Sequence, residues 1–372
     1  MHPPADPCAC PYEAVPKAQK WVDAVANVAD DRINPHTAAR FRLDRTAKVA
    51  SAGSCFAQRI SESLVARGFN YHVTEAAPRW LPADRVKAYN YGVYSARYGN
   101  VYTSLQLVQL VQRALGTFAP EEAPWPGEGG RWFDPFRPRI QPNGFSSAQE
   151  LAADRDHHLR AVRSLLANLD VFIFTLGMTE AWRARRDGAV FPICPGCVAG
   201  RFSPDAYEFH NFSVQEVIDH LDQFFQLLAG VNPRARVILT VSPVPLMATM
   251  TDRHVLQATV YSKSVLRVAA EEMVRRHPNA DYFASYEIAV ATRNTHRYYA
   301  ADKRSVTPDG VAHVMDAFFE TYVGEGRAAA PSSGTPAPGA APKDDLVCDE
   351  LAMFEALGKK RFQNQPGARA TG

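Results

Sequence analysis

The chain has 372 residues, of which 46% are hydrophobic, 10% aromatic and 22% charged, and its formal net charge is +2. This composition is typical of a globular protein with one large core or two smaller ones. The near-neutral charge, without a long run of lysine or arginine, argues against nucleic acid as a partner.

The N-terminal sequence MHPPADPCACPYEAVPKAQKW does not have the basic and apolar segments of an ordinary signal peptide. No apolar stretch reaches about 18 residues, so we expect no membrane span. Together these features predict a cytoplasmic protein. Residues 1–40, which are rich in proline and alanine, are expected to form an arm or cap.

Strands and helices are predicted to alternate along the chain. A short apolar run over residues 47–51 predicts a first buried strand. The four-residue spacing of Phe56, Ile60 and Leu64 then predicts a helix that ends near Gly68. The order here is strand, tight glycine turn and helix.

Three later apolar runs predict strands over residues 170–176, 236–241 and 280–283. Helices are predicted around them over residues 147–165, 214–228 and 259–276. Two of these helices are expected to begin with capping boxes, Ser147 with Glu150 and Ser213 with Glu216. The loop at 98–103 leads into a further helix, and residues 118–144 are expected to form an irregular excursion.

This alternation predicts an α/β fold, a doubly wound parallel sheet with helices on both faces, in a single main domain over residues 41–323. Ligands of such sheets bind at the carboxyl ends of the strands, where the loops at Gly53, Gly177 and Ser242 are expected to lie. Residues 324–345 read as a flexible linker, and residues 346–372 as a tail with a short helix at 346–357.

The turn at Gly53, Ser54 and Cys55 is the first candidate site. A nucleophile at a strand-turn-helix junction is exposed above the sheet, and neighbouring backbone N–H groups can hold an oxyanion. The helix N-terminus favours negative charge and therefore a thiolate. Ser54 and Cys55 are both candidate nucleophiles. The alternative is a glycine turn beside a cysteine that packs as a small hydrophobic residue.

Residues 53–57 spell the motif of the GSCFA family, which the chain resembles over about residues 40–325. Other segments with the family's pattern are YGNVYT (98–103), DPFRP (134–138), TLGMTEAW (175–182), TVSPVP (240–245), YSKS (261–264) and SYEI (285–288). The family is similar to the SGNH/GDSL esterases and acyltransferases. The resemblance therefore implies their fold and an acyl ester substrate.

The resemblance also implies which turn residue reacts. The Gly-Asp-Ser block of the SGNH enzymes carries the nucleophile at its third position, which Cys55 takes here, while Ser54 stands in place of the aspartate. This register favours Cys55, although those enzymes use serine. Ser54 would be the nucleophile if the turn shifted by one residue.

Two further blocks imply an oxyanion hole. Gly99, with Asn100 beside it, takes the place of a glycine whose N–H helps to hold the oxyanion; the alternative is a turn glycine with positive φ. Gly177 and Thr179 take the places of the glycine and asparagine in Gly-x-Asn-Asp. A hydroxyl offers one donor where an amide offers two.

Three other residues complete the predicted lining of the site. Tyr102 and Ser242 are expected to border the substrate. Glu180, at the end of the Gly-x-Asn-Asp block, is expected there too. Alternatively, Glu180 is a buried structural carboxylate that pairs with Arg183 or Arg185.

The last block of the SGNH enzymes, Asp-x-x-His, supplies the acid and the base. Asp302 fits the aspartate, but Ser305 stands where the histidine is expected. His313, in a helix predicted to begin at Pro308, is the candidate base, oriented by Asp302 or Asp309. The alternative is that His313 is a histidine on a helix face and that no imidazole reaches the nucleophile.

The remaining cysteine and histidine motifs have simpler interpretations. The C-x-x-C segment at 194–197 would be half of a zinc site if Cys8 and Cys10 supplied the other half, but the spacing of that pair favours a loop with two free thiols. The pair at 157–158 is predicted on a solvated helix face, and His210 in a polar loop that could border a substrate groove.

The sequence therefore predicts an esterase or O-acyltransferase acting on small-molecule or carbohydrate-linked acyl esters. No metal or organic cofactor is implied. Two alternatives stay open: a binding module that kept the pocket but lost the catalytic residues, and a thiol-dependent thioesterase. Ser305 in the expected histidine position and Thr179 in the asparagine position favour the binding module.

Overall fold

The computed structural model describes residues 10–291, 295–325 and 349–350. Its strands are β1 Val49–Gly53, β2 Trp125–Pro126, β3 Trp132–Phe133, β4 Val171–Leu176, β5 Glu180–Ala184, β6 Val190–Phe191, β7 Tyr207–Asn211, β8 Arg236–Val241 and β9 Ala280–Phe283. Its α-helices are α1 Ala57–Ala66, α2 Ala83–Val86, α3 Ser104–Leu115, α4 Ala148–Asn168, α5 Val214–Val231, α6 Val255–Arg276, α7 Thr295–Tyr298 and α8 Pro308–Tyr322.

The described chain forms two compact units. The first unit contains residues 10–42 and 284–325, with α7 and α8. The second contains residues 43–283 and 349–350, with the strands β1 to β9, and is the main domain. The predicted linker and tail helix fall almost entirely outside the described residues, and the predicted boundaries at 41 and 323 stay a prediction.

Parallel strands in the order β1-β4-β8-β9 form the core of the second unit. Every residue of β1 and β4 is buried, because helices flank the sheet and these strands are apolar on both faces. In register, Gly53 lies beside Thr175, and Thr175 lies beside Thr240. The predicted α/β fold with a central parallel sheet is confirmed, and the three loops after these strands leave from one edge.

The predicted capping boxes at the N-termini of α4 and α5 can be compared with the hydrogen bonds of their first turns. Ser213 and Glu216 form a complete capping box at α5. At α4, the Ser147 hydroxyl accepts from Glu150 N–H at 3.0 Å, but the Glu150 carboxylate accepts from Ser146 N–H at 2.8 Å. The box predicted at α4 is therefore only half formed.

Helix α6 begins four residues before its predicted start. His254 Nδ1 accepts from Leu256 N–H at 3.1 Å and caps the first turn. An imidazole is not one of the side chains by which a helix start is recognised in a sequence. In the described ranges, no helix has the length and apolarity needed to cross a membrane.

A small antiparallel sheet in the order β6-β5-β7 is not predicted by the sequence patterns. Its strands are short, and β7 is half-buried along its whole length. The alternation of apolar and polar residues that indicates a strand is therefore weak in this part of the sequence. This sheet continues directly from the Gly177 loop, because β5 starts at Glu180 and pairs there with Asn211.

Candidate active site

The turn between β1 and α1 is shaped by Gly53. Its φ is 145°, and a Cβ at this position would lie 2.5 Å from the carbonyl oxygen of Thr175. Both the backbone conformation and the space therefore require glycine. Ser54 and Cys55 follow and are both buried, which differs from the exposure expected of a nucleophile and agrees with the alternative of a packed cysteine. Helix α1 begins at Ala57. The predicted strand-turn-helix order is confirmed.

Two other loops meet this turn at the carboxyl edge of the sheet. Val101 N–H donates to the carbonyl of Gly53 at 2.9 Å, and Gly177 N–H donates to the carbonyl of Tyr102 at 3.0 Å. A Cβ on Gly177 would lie 3.1 Å from Cβ of Ser54. The structure thus brings together the predicted loops at Gly53, Tyr102 and Gly177.

Asn100 is a buried amide whose orientation is fixed on both sides. Its Oδ1 accepts from the hydroxyl of Tyr94 at 2.6 Å, and its Nδ2 donates to Oδ2 of Asp349 at 2.8 Å. A carboxylate oxygen accepts hydrogen bonds, so the amide N–H must face Asp349. Asn100 therefore presents a donor to a cleft that Gly99 and Asp349 also line. Gly99 has φ 68°, as the turn-glycine alternative requires.

Both donors of Thr179 are already used inside the fold. Its N–H donates to Oγ of Ser262 at 3.0 Å, and its hydroxyl donates to Oδ1 of Asn211 at 2.7 Å. Nearby, the buried Lys263 donates from Nζ to the carbonyl of Gly177 at 2.6 Å. These bonds fix the Gly177 loop and disfavour Thr179 as an oxyanion donor.

Ser242 is buried at the end of β8. Its N–H donates to the carbonyl of Leu176 at 2.9 Å, and its hydroxyl accepts from Val244 N–H at 3.3 Å. The loop that follows β8 therefore leaves the same edge of the sheet as the Gly177 loop, as predicted. The use of Ser242 to border a substrate stays a prediction.

Glu180 does not form the ion pair that was considered for it. Its carboxylate accepts from the hydroxyl of Thr249 at 2.6 Å and from Met250 N–H at 3.3 Å. Arg183 and Arg185 both pair with Glu208. Burial raises the pKa of Glu180 above its usual value, and the two donors only partly oppose this. The alternative for Glu180 is therefore correct in its burial and wrong in the pairing with Arg183 or Arg185.

His313 lies on α8 in the first unit, with its ring held inside that unit. Nδ1 lies 2.6 Å from the hydroxyl of Tyr298, and Nε2 lies 3.0 Å from the carbonyl oxygen of Ile33. A carbonyl only accepts, so Nε2 carries the ring proton and Nδ1 accepts from Tyr298. With both ring nitrogens engaged, this geometry disfavours His313 as a base.

The two aspartates expected to orient His313 belong to the same unit. Asp302 accepts from the hydroxyl of Ser305 at 2.7 Å and from the N–H groups of Arg304 and Ser305 at 2.9 Å, which closes a turn. Asp309 pairs with Arg297 at 3.0 Å. The two ring bonds of His313 thus involve neither carboxylate.

Two of the three histidines predicted to be solvated or in a loop differ from expectation, whereas His157 is exposed as predicted. His158 is fully buried on α4, with Nδ1 2.7 Å from Oε2 of Glu75. The predicted solvated face is wrong for this residue. His210 lies in β7 rather than in a loop, and its Nε2 lies 2.7 Å from Oε1 of Glu216.

The C-x-x-C segment forms a turn in which Cys197 N–H donates to the carbonyl of Cys194 at 3.2 Å. Neither cysteine forms a disulfide and both are half-buried, as the loop prediction requires. Cys8, the residue needed for the zinc alternative, lies outside the described residues.

Several residues at the site were not predicted as site residues. Tyr94 and Gln58 lie behind Asn100, and Asp349 comes from the tail. Lys263 lies in the YSKS segment that carries part of the family resemblance. That segment is the sequence feature that could have indicated Lys263 as a site residue. Among the described residues, the buried hydroxyls of Ser54 and Thr175 have no hydrogen-bond partner, a feature that often accompanies functional sites.

A model of the GSCFA family matches residues 48–318, well over half of the chain. The matched range contains the turn at Gly53, the loop with Asn100, the Gly177 loop and Lys263. It ends before Asp349. No curated protein matches the chain.

Proposed function

The chain belongs to the GSCFA family, and from the geometry of its site we propose that it is an SGNH-like esterase or O-acyltransferase with Cys55 as nucleophile. The substrate class is a small or carbohydrate-linked acyl ester. One observation carries the proposal. Cys55 follows β1 on a turn at the N-terminus of α1, on the sheet edge where the Asn100 loop supplies an oriented amide donor.

The proposed reaction has two steps. The Cys55 sulfur attacks the ester carbonyl carbon, and Asn100 Nδ2–H stabilises the oxyanion that forms. The carbon–oxygen bond to the alcohol then breaks, and the alcohol leaves with the proton released by the thiol. In the second step, water or a sugar hydroxyl attacks the thioester, which releases the acid or the new ester and restores the thiol.

Tyr94 supports the site without serving as the base. Burial raises the pKa of Tyr94 well above its usual value, and the charge of the nearby Cys55 adds to this effect. Tyr94 therefore stays protonated, and its hydroxyl donates a hydrogen bond to Oδ1 of Asn100.

A second candidate function is non-catalytic ligand binding. Ser305 stands where the SGNH pattern has its histidine, and both ring nitrogens of His313 are engaged with Tyr298 and Ile33. These observations favour a chain that retains an acyl-binding pocket without a general base.

Aryl acetate hydrolysis and intact-protein mass spectrometry distinguish the two functions. We expect wild type to hydrolyse the ester and to carry one acyl group during turnover, and Cys55→Ala to lose both properties. Cys10→Ala, which removes an exposed thiol, is the control for nonspecific acylation. Equal hydrolysis by wild type and Cys55→Ala would contradict the proposed nucleophile. Absence of both turnover and acyl adduct in wild type would support the binding function.

A further inference from the structure

We propose that the cleft beside Asn100 is a subsite for a short carboxylate or acyl group of about acetate size, and that Asp349 fills it as an intramolecular ligand. The choice of an acyl group rests on the proposed function, because a carboxylate is the product of ester hydrolysis. Occupation of the cleft by the tail does not depend on that function.

Asp349 is held by both its side chain and its backbone. Its Oδ2 accepts from Asn100 Nδ2 at 2.8 Å, and its N–H donates to the hydroxyl of Tyr102 at 3.2 Å. The residue is only 4% exposed. Both partners belong to the 98–103 loop that crosses the end of the sheet, so the tail residue lies at the proposed catalytic edge.

The size and chemistry of the cleft fit a small acid. It is lined by Gly99, Asn100, Arg139 and Asp349, among others, and with Asp349 in place little open space is left in it. The side chain of Asp349 is one methylene and a carboxylate, the same groups as acetate. Its Oδ2 thus stands in for an oxygen of the acyl group at the Asn100 donor.

The surroundings of Asp349 disfavour the charged form of its carboxyl group. Burial raises the pKa of Asp349. The hydrogen bond from Asn100, the positive charge of Arg139 and the hydrogen bond with Tyr102 oppose this rise without cancelling it. A neighbouring contact, from Met247 N–H to Glu350 Oε1, is long at 3.5 Å.

The family match adds an independent observation. Asn100, Tyr102 and Arg139 lie inside the matched range of residues 48–318, whereas Asp349 lies beyond it. The cleft is therefore part of the family domain, and the residue that fills it comes from outside that domain. This arrangement indicates a ligand site that the chain's own tail occupies.

Acetate binding measured by ligand-observed NMR tests the proposal on the full chain. All variants carry Cys55→Ala, so that turnover does not affect binding. If Asp349 occupies the cleft in nine of ten molecules, removing its side chain strengthens the apparent affinity for acetate about tenfold. We expect this gain from Asp349→Ala and a smaller gain from Asp349→Asn, which preserves the shape of the side chain. Asp84→Ala removes an exposed carboxylate and is the matched control.

Two results would overturn the proposal. One is equal acetate affinity with Asp349 present and with either replacement of it, in variants with unchanged thermal melting. The other is a gain in affinity that persists when Asn100→Ala is added. If wild type does not hydrolyse esters but Asp349→Ala binds acetate more tightly through Asn100, the proposed catalysis fails and the subsite stands. If hydrolysis occurs but replacing Asp349 has no effect on acetate binding, the proposed catalysis stands and the proposed subsite fails.

Discussion

The hydroxyl of Tyr94 lies 2.6 Å from Oδ1 of Asn100 and fixes which side of the amide faces the cleft. Gln58 Nε2 donates to the same phenol oxygen at 3.2 Å. Hydrogen-bond donation therefore runs in one direction, from Gln58 through Tyr94 and Asn100 to Asp349, and each bond in such a chain strengthens the next. A donor fixed in this way needs no reorganisation when negative charge develops on a substrate oxygen.

Replacing Tyr94 with phenylalanine tests whether this orientation matters. We expect kcat for an aryl acetate to fall about tenfold to a hundredfold with a smaller change in KM, because the amide is needed most in the transition state. The buried carbonyl of Asn100 also loses its shortest donor, which costs about 1–3 kcal/mol of stability. Steady-state kinetics and denaturant unfolding measure the two effects.

Tyr12→Phe is the matched control, because the side chain of Tyr12 is 79% exposed. We expect this variant to keep the wild-type kcat and unfolding free energy. A Tyr94→Phe protein with wild-type kcat would show that the orientation of Asn100 does not limit the reaction.

Gly53→Ala is expected to destabilise the second unit strongly. The new Cβ would lie 2.5 Å from the carbonyl oxygen and 2.7 Å from Cβ of Thr175, at a φ that disfavours alanine. Backbone strain alone costs about 1–3 kcal/mol, and the steric overlap adds to it. We expect a lower melting temperature by circular dichroism.

The control for this substitution is Gly230→Ala. Gly230 lies within α5, and a Cβ there would meet nothing within 4 Å. Alanine in a helix is favoured over glycine by about 0.5–1 kcal/mol, so this variant is expected to melt slightly higher. If Gly53→Ala melts at the wild-type temperature, the close approach to Thr175 is not rigid.

The central strands could be predicted from the sequence because their burial is complete. Residues of β4 and β8 are mostly apolar on both faces, so each strand contains an unbroken apolar run, of four residues in β4 and three in β8. The carboxyl edge then follows from the parallel topology, and with it the convergence of the loops at Gly53 and Gly177. These predictions depend on local pattern and general topology alone.

The polar network of the site could not be predicted in the same way. Asn100 meets Asp349 across 249 positions of sequence, and Thr179 meets Ser262 across 83. No local spacing encodes such pairs. The same reason explains His158: its neighbours on α4 are charged, but the buried partner that satisfies it, Glu75, is 83 residues away.

The buried pair of Glu75 and His158 predicts a loss of stability in acid. Burial and the charge of Arg137 lower the pKa of His158 from 6.5 to about 4, although Glu75 opposes this. Burial alone would raise the pKa of Glu75, but His158, Arg137 and the N–H of Arg97 lower it to about 2. At neutral pH the pair is therefore a carboxylate that accepts from a neutral imidazole.

The sign of the pH effect is the same for both groups. The contribution of His158 is complete above pH 6.5 and is lost as the pH falls towards 4, because the unfolded histidine binds its proton more readily. The contribution of Glu75 is lost later, between pH 4.5 and 2. We expect the unfolding free energy to drop by about 3 kcal/mol between pH 7 and pH 4 from His158.

Guanidinium unfolding at several pH values checks this expectation. His158→Asn keeps a donor near the Nδ1 position but does not titrate, so its stability is expected to change less between pH 7 and pH 4.5. His157→Asn, which replaces the exposed neighbouring histidine on α4, is the control. Parallel curves for wild type and His158→Asn would contradict the assignment to His158.

The last prediction concerns the two thiols of the C-x-x-C turn. A hydrogen bond with Cys197, followed by burial, raises the pKa of the Cys194 thiol well above its usual value. Since only the thiolate reacts with iodoacetamide, we expect Cys194 to be alkylated slowly in wild type and at least about tenfold faster in Cys197→Ala. Peptide mass mapping over time measures both rates, with the exposed Cys10 as internal standard. Equal rates for Cys194 in the two proteins would mean that access to the half-buried turn, rather than the bond between the thiols, controls its reactivity.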